Sequence, residues 1–271
     1  MNITRLEKQY GKGFLMDYMG SRAITFGMTL KDQPYDKIYY RTNEDLVDTY
    51  LDVDFYDKDV LSVLASSDQV FTARLLDAKK VDAFDKNVLT KYYFYLRLWT
   101  IKYTDRLFPN IYDRDFIKNL LIFVHPETKE ERRAYDFFKE HLHDKTDFSQ
   151  MFYIDEVQPI GKRLFEKPQE LEDCLSPDLD FYEIDLFEKK EHPKNYDIVI
   201  ISNILDWARY DKDKLENAAF NLNKYTRHGG YILGSNLIER SKEEKDQEQG
   251  IMKEYFELEE ERRKSYVYRK K

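Results

Sequence analysis

Val60-Leu61-Ser62-Val63-Leu64-Ala65-Ser66-Ser67-Asp68-Gln69, followed by Lys80-Val81-Asp82-Ala83-Phe84-Asp85-Lys86-Asn87, decides how this chain folds. Val60 to Leu64 is a short apolar run, the mark of a strand buried on both faces. Helical character follows from Gln69 to Asp77. A second strand, Lys80 to Asp85, ends on an acid. Strand, tight turn, helix, strand and terminal acid make the layout of a nucleotide-binding β-α-β unit, in which the acid takes two ribose hydroxyls. No glycine stands between Val60 and Asn87, so the turn lacks the cradle that a pyrophosphate needs. The outline suits an adenosine ligand without one.

Upstream, residues 1–57 are polar and aromatic with no strong strand, and form an N-terminal helical segment. Within it Asn43 to Leu51 reads as a short helix capped by Thr42 or Asn43. Downstream, Val88 to Tyr103 is a long helix. Its Leu89, Tyr92, Tyr93, Tyr95, Leu96, Trp99 and Tyr103 recur at spacings of three and four, which we assign to core packing. The stretch 104–178 is largely helical, with amphipathic segments at Asp115 to Phe123 and Lys129 to His143. Its remainder is interrupted by Pro159, Pro168 and Pro177. Connections inside an α/β unit usually run about 2–6 residues, so 104–178 is an insertion, expected to cap the site and select the acceptor.

The α/β pattern resumes with a strand at Asp180 to Leu186, a buried strand at Tyr196 to Asn203 and a helix from Asp211 to Tyr225. His228-Gly229-Gly230 is expected to stop that helix and open a strand at Tyr231 to Ser235. A charged, exposed helix over 241–254 precedes a closing antiparallel hairpin, Tyr255 to Glu259 with Ser265 to Arg269. The expected fold is α/β and Rossmann-like: a mostly parallel seven-stranded sheet, helices on both faces and an added helical cap. Residues 58–271 form that domain.

Ligands of such sheets sit beyond the carboxyl ends of the strands, at the topological switch point. Asp85, with Lys86 beside it, fits the ribose. Asp185, followed by Leu186, fits the adenine amino group. The turn Ala65-Ser66-Ser67-Asp68 offers hydroxyls, backbone and an acid to an ammonium and a carboxylate. Ser202, Asn203, Asp206 and Trp207 would face the reactive end, where a Trp offers a cation–π contact to a sulfonium. This set matches S-adenosylmethionine. Asp206, or a Tyr of the insertion, is the candidate general base.

The pattern resembles the class I S-adenosylmethionine-dependent methyltransferase fold. Val81 to Asp85 stands where that family's ribose-binding acid stands. Asn195 to Asn203 is similar to its fourth-strand motif, and Arg227 to Leu233 to the turn before its fifth. A narrower resemblance is to the S-adenosylmethionine:diacylglycerol 3-amino-3-carboxypropyltransferases (betaine-lipid synthases), through Asn43-Glu44-Asp45, Ala65-Ser66-Ser67-Asp68-Gln69, Asp85-Lys86-Asn87 and Leu96-Arg97-Leu98. Ser67 replaces that family's glycine and Gln69 its asparagine. The resemblance implies S-adenosylmethionine binding through Asp85 and the 65–68 turn. It leaves open methyl or 3-amino-3-carboxypropyl transfer to a small-molecule or lipid-headgroup acceptor. The glycine-free turn keeps a catalytically inactive binding or regulatory protein as the alternative.

The rest of the chain narrows the field. A net charge of −8 argues against a nucleic-acid partner, which would meet a basic face. The basic tail Arg262-Arg263-Lys264 to Lys271 reads as a solvated terminus. With one cysteine, Cys174, no internal disulfide forms, which suits a reducing compartment. No signal segment and no apolar run of about 18 residues stand in the chain, so a cytoplasmic protein without a transmembrane segment is expected, peripheral membrane contact being left open. His141 and His143 are assigned to a helix surface rather than a metal. Cys174 among Glu170, Glu172 and Asp173 is no thiolate nucleophile. Oligomeric state has no signature in the sequence.

Overall fold

Val60 and Leu61 are both fully buried yet belong to different cores, because successive strand residues point to opposite faces. The strand that holds them is β2 (Asp59–Val63) in the computed structural model, which describes residues 38–42, 44–143, 148–153, 163–189, 194–208, 211–236, 241–261 and 265–271. Strand β2 lies between β3 (Lys80–Asp85) and β6 (Tyr196–Ser202), parallel to both, with Val60 beside Val81 and Ile198. Strand β6 repeats the alternation: Ile198 and Ile200 enter one core, Val199 and Ile201 the other. Each such side chain contributes roughly 1.5–3 kcal/mol relative to exposure.

The remaining strands complete two sheets. Strand β5 (Phe181–Glu183) flanks β3. Strand β7 (Thr226–Ser235) flanks β6, and the antiparallel hairpin β8 (Phe256–Glu261) and β9 (Ser265–Lys270) closes that edge through β9. Across the sheet the order is β5-β3-β2-β6-β7-β9-β8, with β9 alone running against the others. Numbered within this sheet, that is 3-2-1-4-5-7-6. The chain reverses direction between β2 and β6, so a crevice opens at their carboxyl ends. A two-stranded parallel pair, β1 (Ile38–Tyr39) and β4 (Phe152–Tyr153), stands apart. Two-residue strands carry no alternation, and β1 falls in a segment expected to hold no strong strand.

Helices cover both faces. On one face lie α1 (Leu46–Tyr50), α2 (Asp68–Leu75) and α3 (Leu89–Thr104), with α4 (Arg114–Phe123) and α5 (Lys129–His143) packed on α3. On the other lie α6 (Lys212–Tyr225) and α7 (Lys242–Met252). The aromatic stripe of α3 is core, as expected. The burial runs around the helix, from Tyr93 to Ile101, because the sheet covers one side and the insertion the other. Tyr92 stacks against Phe137 of α5, with centroids 4.7 Å apart. Beyond α5 the insertion is not a continuous helix: it holds 3-10 turns at Phe148–Met151 and Pro168–Cys174 and the strand β4. Arg74 of α2 ties its end down, donating to the carbonyls of Cys174, Ser176 and Asp178.

Three expectations need correction. The strand expected over Asp180 to Leu186 spans Phe181–Glu183 only. The Gly229-Gly230 pair does not stop α6: the strand begins at Thr226, and the pair lies inside β7 at an irregularity in its pairing with β6. Gly229 has φ 74°, and a Cβ on Gly230 would come within 2.8 Å of the Asp197 carbonyl, so both glycines are needed for the bulge. Helix α7 is charged but not wholly exposed, since Glu248, Ile251 and Met252 are buried. Asn43, residues 209–210 and the basic residues 262–264 lie outside the described residues.

Candidate functional site

Backbone strain marks the switch point. Ala65 (φ 40°) and Ser67 (φ 72°) follow β2, and Ser202 (φ 55°) ends β6. Among the described residues the other left-handed non-glycine positions are Asp57, Asp77 and Asp105, a residue type that tolerates this region in turns. A Cβ there costs about 1–2 kcal/mol. Ser67 thus keeps the conformation of a glycine while carrying a side chain. It precedes α2, makes no cap bond, and its Oγ is buried without a hydrogen-bond partner.

The turn around it is held from both sides. Ser66 Oγ donates to Asp68 Oδ2 (3.0 Å), as does the Thr42 amide (2.8 Å). Arg97 of α3 donates through Nη1 to Asp68 Oδ1 (2.9 Å) and to the Ser66 carbonyl (2.6 Å). Asp68 and Arg97 are both fully buried. A buried pair of this kind is costly to break, about 3–5 kcal/mol on loss of one partner.

Asp85 stands at the end of β3. Its Oδ2 accepts from the Ala65 amide (3.1 Å) and its Oδ1 from the Asn87 amide (3.0 Å). The Thr90 side chain also acts on this carboxyl; with about four acceptor positions on a carboxylate, these contacts do not exhaust it. Burial pushes this carboxyl up to about 6, against the lowering effect of the two amides. Lys86 is exposed. Asn87 Oδ1 accepts the Leu89 amide and so steadies the start of α3.

Asp185 lies past the end of β5, on the same side of the sheet as Asp85. Asp85 is opposite Glu183, and the Ile184 amide donates to the Asp85 carbonyl (3.1 Å). Asp185 Oδ1 accepts the Phe187 amide (2.9 Å). The Leu186 side chain is buried in the α6 core, and its carbonyl accepts from Asn221. At the end of β6, Ser202, Asn203 and Asp206 are buried, whereas Trp207 is partly exposed.

Glu44 stands in the quoted sequence motif but outside the expected site, and the structure brings it there. Its carboxyl is buried, accepts from Ser202 Oγ, and is approached by Gln69 Nε2 at 3.4 Å. It therefore bridges β6 and α2 across the crevice. Burial pushes it up to about 8, with Asp206 and Asp68 adding repulsion. At neutral pH it is largely a neutral acid. Arg97 is a second site residue that sequence reasoning missed. The motif Leu96-Arg97-Leu98 was the available signal for it, as Asn43-Glu44-Asp45 was for Glu44.

Four carboxyl groups, Glu44, Asp68, Asp85 and Asp206, thus come from the ends of β2, β3 and β6 and the segment before α1. Arg97, a buried cation, pairs with Asp68 among them. The arrangement can accept hydrogen bonds from a polyhydroxyl ligand and can hold positive charge. Among the described residues no cluster of three or more His, Cys, Asp or Glu could hold a metal ion. His141 Nδ1 lies 2.8 Å from the Phe137 carbonyl, one turn back in α5. Burial pushes the Cys174 thiol up, away from a thiolate. No helix of the described residues is long and apolar enough to cross a membrane.

The strand order 3-2-1-4-5-7-6, with only the seventh strand reversed, defines the Rossmann-like fold of the class I methyltransferases. No protein-family model matches the chain, and no curated protein matches it. Solved structures do align with it. N-methyltransferase NodS from Bradyrhizobium japonicum, in complex with S-adenosyl-L-homocysteine, is 8% identical over 78% of this chain and 76% of its own, with a TM-score of 0.36. TrmN from Thermus thermophilus is 10% identical over 80% of this chain and 45% of its own (TM-score 0.37). A methyltransferase from Methanosarcina mazei is 8% identical over 79% and 92% (TM-score 0.37).

Proposed function

We propose that this chain is an S-adenosylmethionine-dependent transferase acting on a small-molecule or lipid-headgroup acceptor. The observation that carries the reading is Asp85: a strand-end carboxyl held by the amides of Ala65 and Asn87 and not exhausted as an acceptor by them. Ribose hydroxyls need such an acceptor. The left-handed backbone at Ala65 and Ser67 supports a close approach of ligand to the turn, as glycine would allow.

In this reading Asp185 accepts from the adenine amino group, and Lys86 and Leu186 lie along the nucleoside. The backbone of Ala65 to Asp68, with the unpartnered Ser67 Oγ, holds the amino-acid end. Ser202, Asn203 and Trp207 line the reactive end. When bound, S-adenosylmethionine supplies a sulfonium whose leaving group is already activated. The protein's part is to hold an acceptor in line and dry, and in this reading Asp206 receives its proton. Orientation of the ligand decides between methyl and 3-amino-3-carboxypropyl transfer. A basic nucleic-acid surface is not part of the reading.

Burial of Ser66, Ser67 and Asp68 favours one second reading, a protein that binds the ligand without turnover. Calorimetry and product analysis on the full chain separate the two. Saturable binding of S-adenosylmethionine with transfer to an amine, phenol or lipid-headgroup acceptor is expected. Binding without any transfer would support the second reading, and no binding at millimolar ligand would defeat both.

A further inference from the structure

Three guanidinium groups surround one ring. The Cζ atoms of Arg97, Arg41 and Arg163 lie 4.3, 4.6 and 5.0 Å from the centroid of Phe108. They come from separate stretches: Arg97 from the middle of α3, Arg41 from the segment between β1 and α1, and Arg163 from the insertion. The Arg97 side chain is fully buried and that of Arg163 is 10% exposed. Arg41 Nε, Arg97 Nη2 and both Nε and Nη1 of Arg163 are buried without a hydrogen-bond partner.

Among the described residues the charges do not balance. Among the described residues Asp68 pairs with Arg97, and Glu166, itself mostly exposed, approaches Arg163 at 3.6 Å. Arg41 has no carboxylate within ion-pair distance among them. Cation–π contacts with Phe108 offset only part of the cost of burying guanidinium groups that repel one another. Unpartnered donors at such a place are normally matched by an acceptor. Guanidinium forks match the oxygen geometry of phosphate, and several together form a phosphate clamp.

We propose that Arg41, Arg97 and Arg163 form an oxyanion site that takes a phosphate group. Arg97 Nη1 is taken by the Ser66 carbonyl and Asp68, so the unpartnered Nη2 is the nitrogen left for the anion. Arg41 and Arg163 stand outside regular helices and can adjust their spacing around it while α3 stays in place. A phosphate ester of the acceptor and free inorganic phosphate are the two sources of this chemistry.

The test is calorimetry and thermal unfolding of the full chain with inorganic phosphate and with glycerol phosphate, at fixed ionic strength against chloride and without S-adenosylmethionine. Saturable binding and stabilisation are expected. Arg41→Gln and Arg163→Gln each weaken affinity roughly tenfold or more, since a charged hydrogen bond is removed. Arg163→Lys, which keeps the charge, loses affinity to a smaller extent. Tighter binding of glycerol phosphate supports an acceptor-borne phosphate, and equal binding supports the free anion. No saturable effect on the unsubstituted chain, or unchanged affinity in both glutamine variants, overturns the proposal. Its failure leaves the reading of Asp85 untouched, because the cofactor takes no part in the measurement.

Discussion

Ser67 shows how one residue records the constraint on the site. Its φ of 72° is glycine's territory, and its hydroxyl is buried without a partner. Ser67→Gly should therefore raise stability by about 0.5–1 kcal/mol, the relief of strain exceeding the extra freedom of the unfolded chain. Urea unfolding measures it, and a loss of stability would mean that the hydroxyl has a native partner. Glu44 makes a second prediction, through pH. Its ordinary value of 4.5 becomes about 8 in the fold. Between those values the folded chain binds more protons than the unfolded one, so stability falls as pH rises through that window. Glu44→Gln removes this contribution. The variant should gain on the unsubstituted chain by on the order of 1.4 kcal/mol per pH unit across the window and no further above it. Unfolding at pH 5, 7 and 9 tests this, and a difference independent of pH would contradict it. Asp85 was legible in the sequence because an acid ending a strand needs only local pattern. Glu44 and Arg97 were not placed in the site because their burial is set by segments distant in the chain: Ser202 for one, Asp68 and Ser66 for the other.

Among the elements, β2, β3 and β6 were readable because strands buried on both faces are continuous apolar runs. The hairpin β8–β9 was readable from its alternation and despite its glutamates, which the structure puts on an exposed edge strand, where charge blocks further pairing. The β1–β4 pair had no readable pattern at two residues a strand. The start of β7 was misplaced for a specific reason: Gly229-Gly230 reads as a helix stop, but Thr226 is already extended and the glycines serve the bulge. Gly230→Ala should then destabilise by about 1–3 kcal/mol, because its Cβ would meet the Asp197 and Arg227 carbonyls, which are backbone and cannot swing aside. Stability equal to the unsubstituted chain would show that β7 can shift at this point.

At the scale of the molecule, the reversal of strand order between β2 and β6 creates the crevice, and the strand ends deliver Asp85, Ser202 and the 65–68 turn to it. The insertion was expected to cap this site. Its α4 and α5 pack on the flank of α3, while Phe108 and Arg163 reach the Arg97 that braces the turn; we propose that this corner is where the insertion meets the acceptor. We propose that Asp85 holds the ribose of S-adenosylmethionine. The most direct test is calorimetric titration of S-adenosylmethionine into the unsubstituted chain and into Asp85→Ala, with circular dichroism to confirm that the variant is folded. Saturable binding by the former and at least tenfold weaker binding by the latter are expected, since hydrogen bonds to a charged group are lost. An unchanged dissociation constant would contradict the proposal.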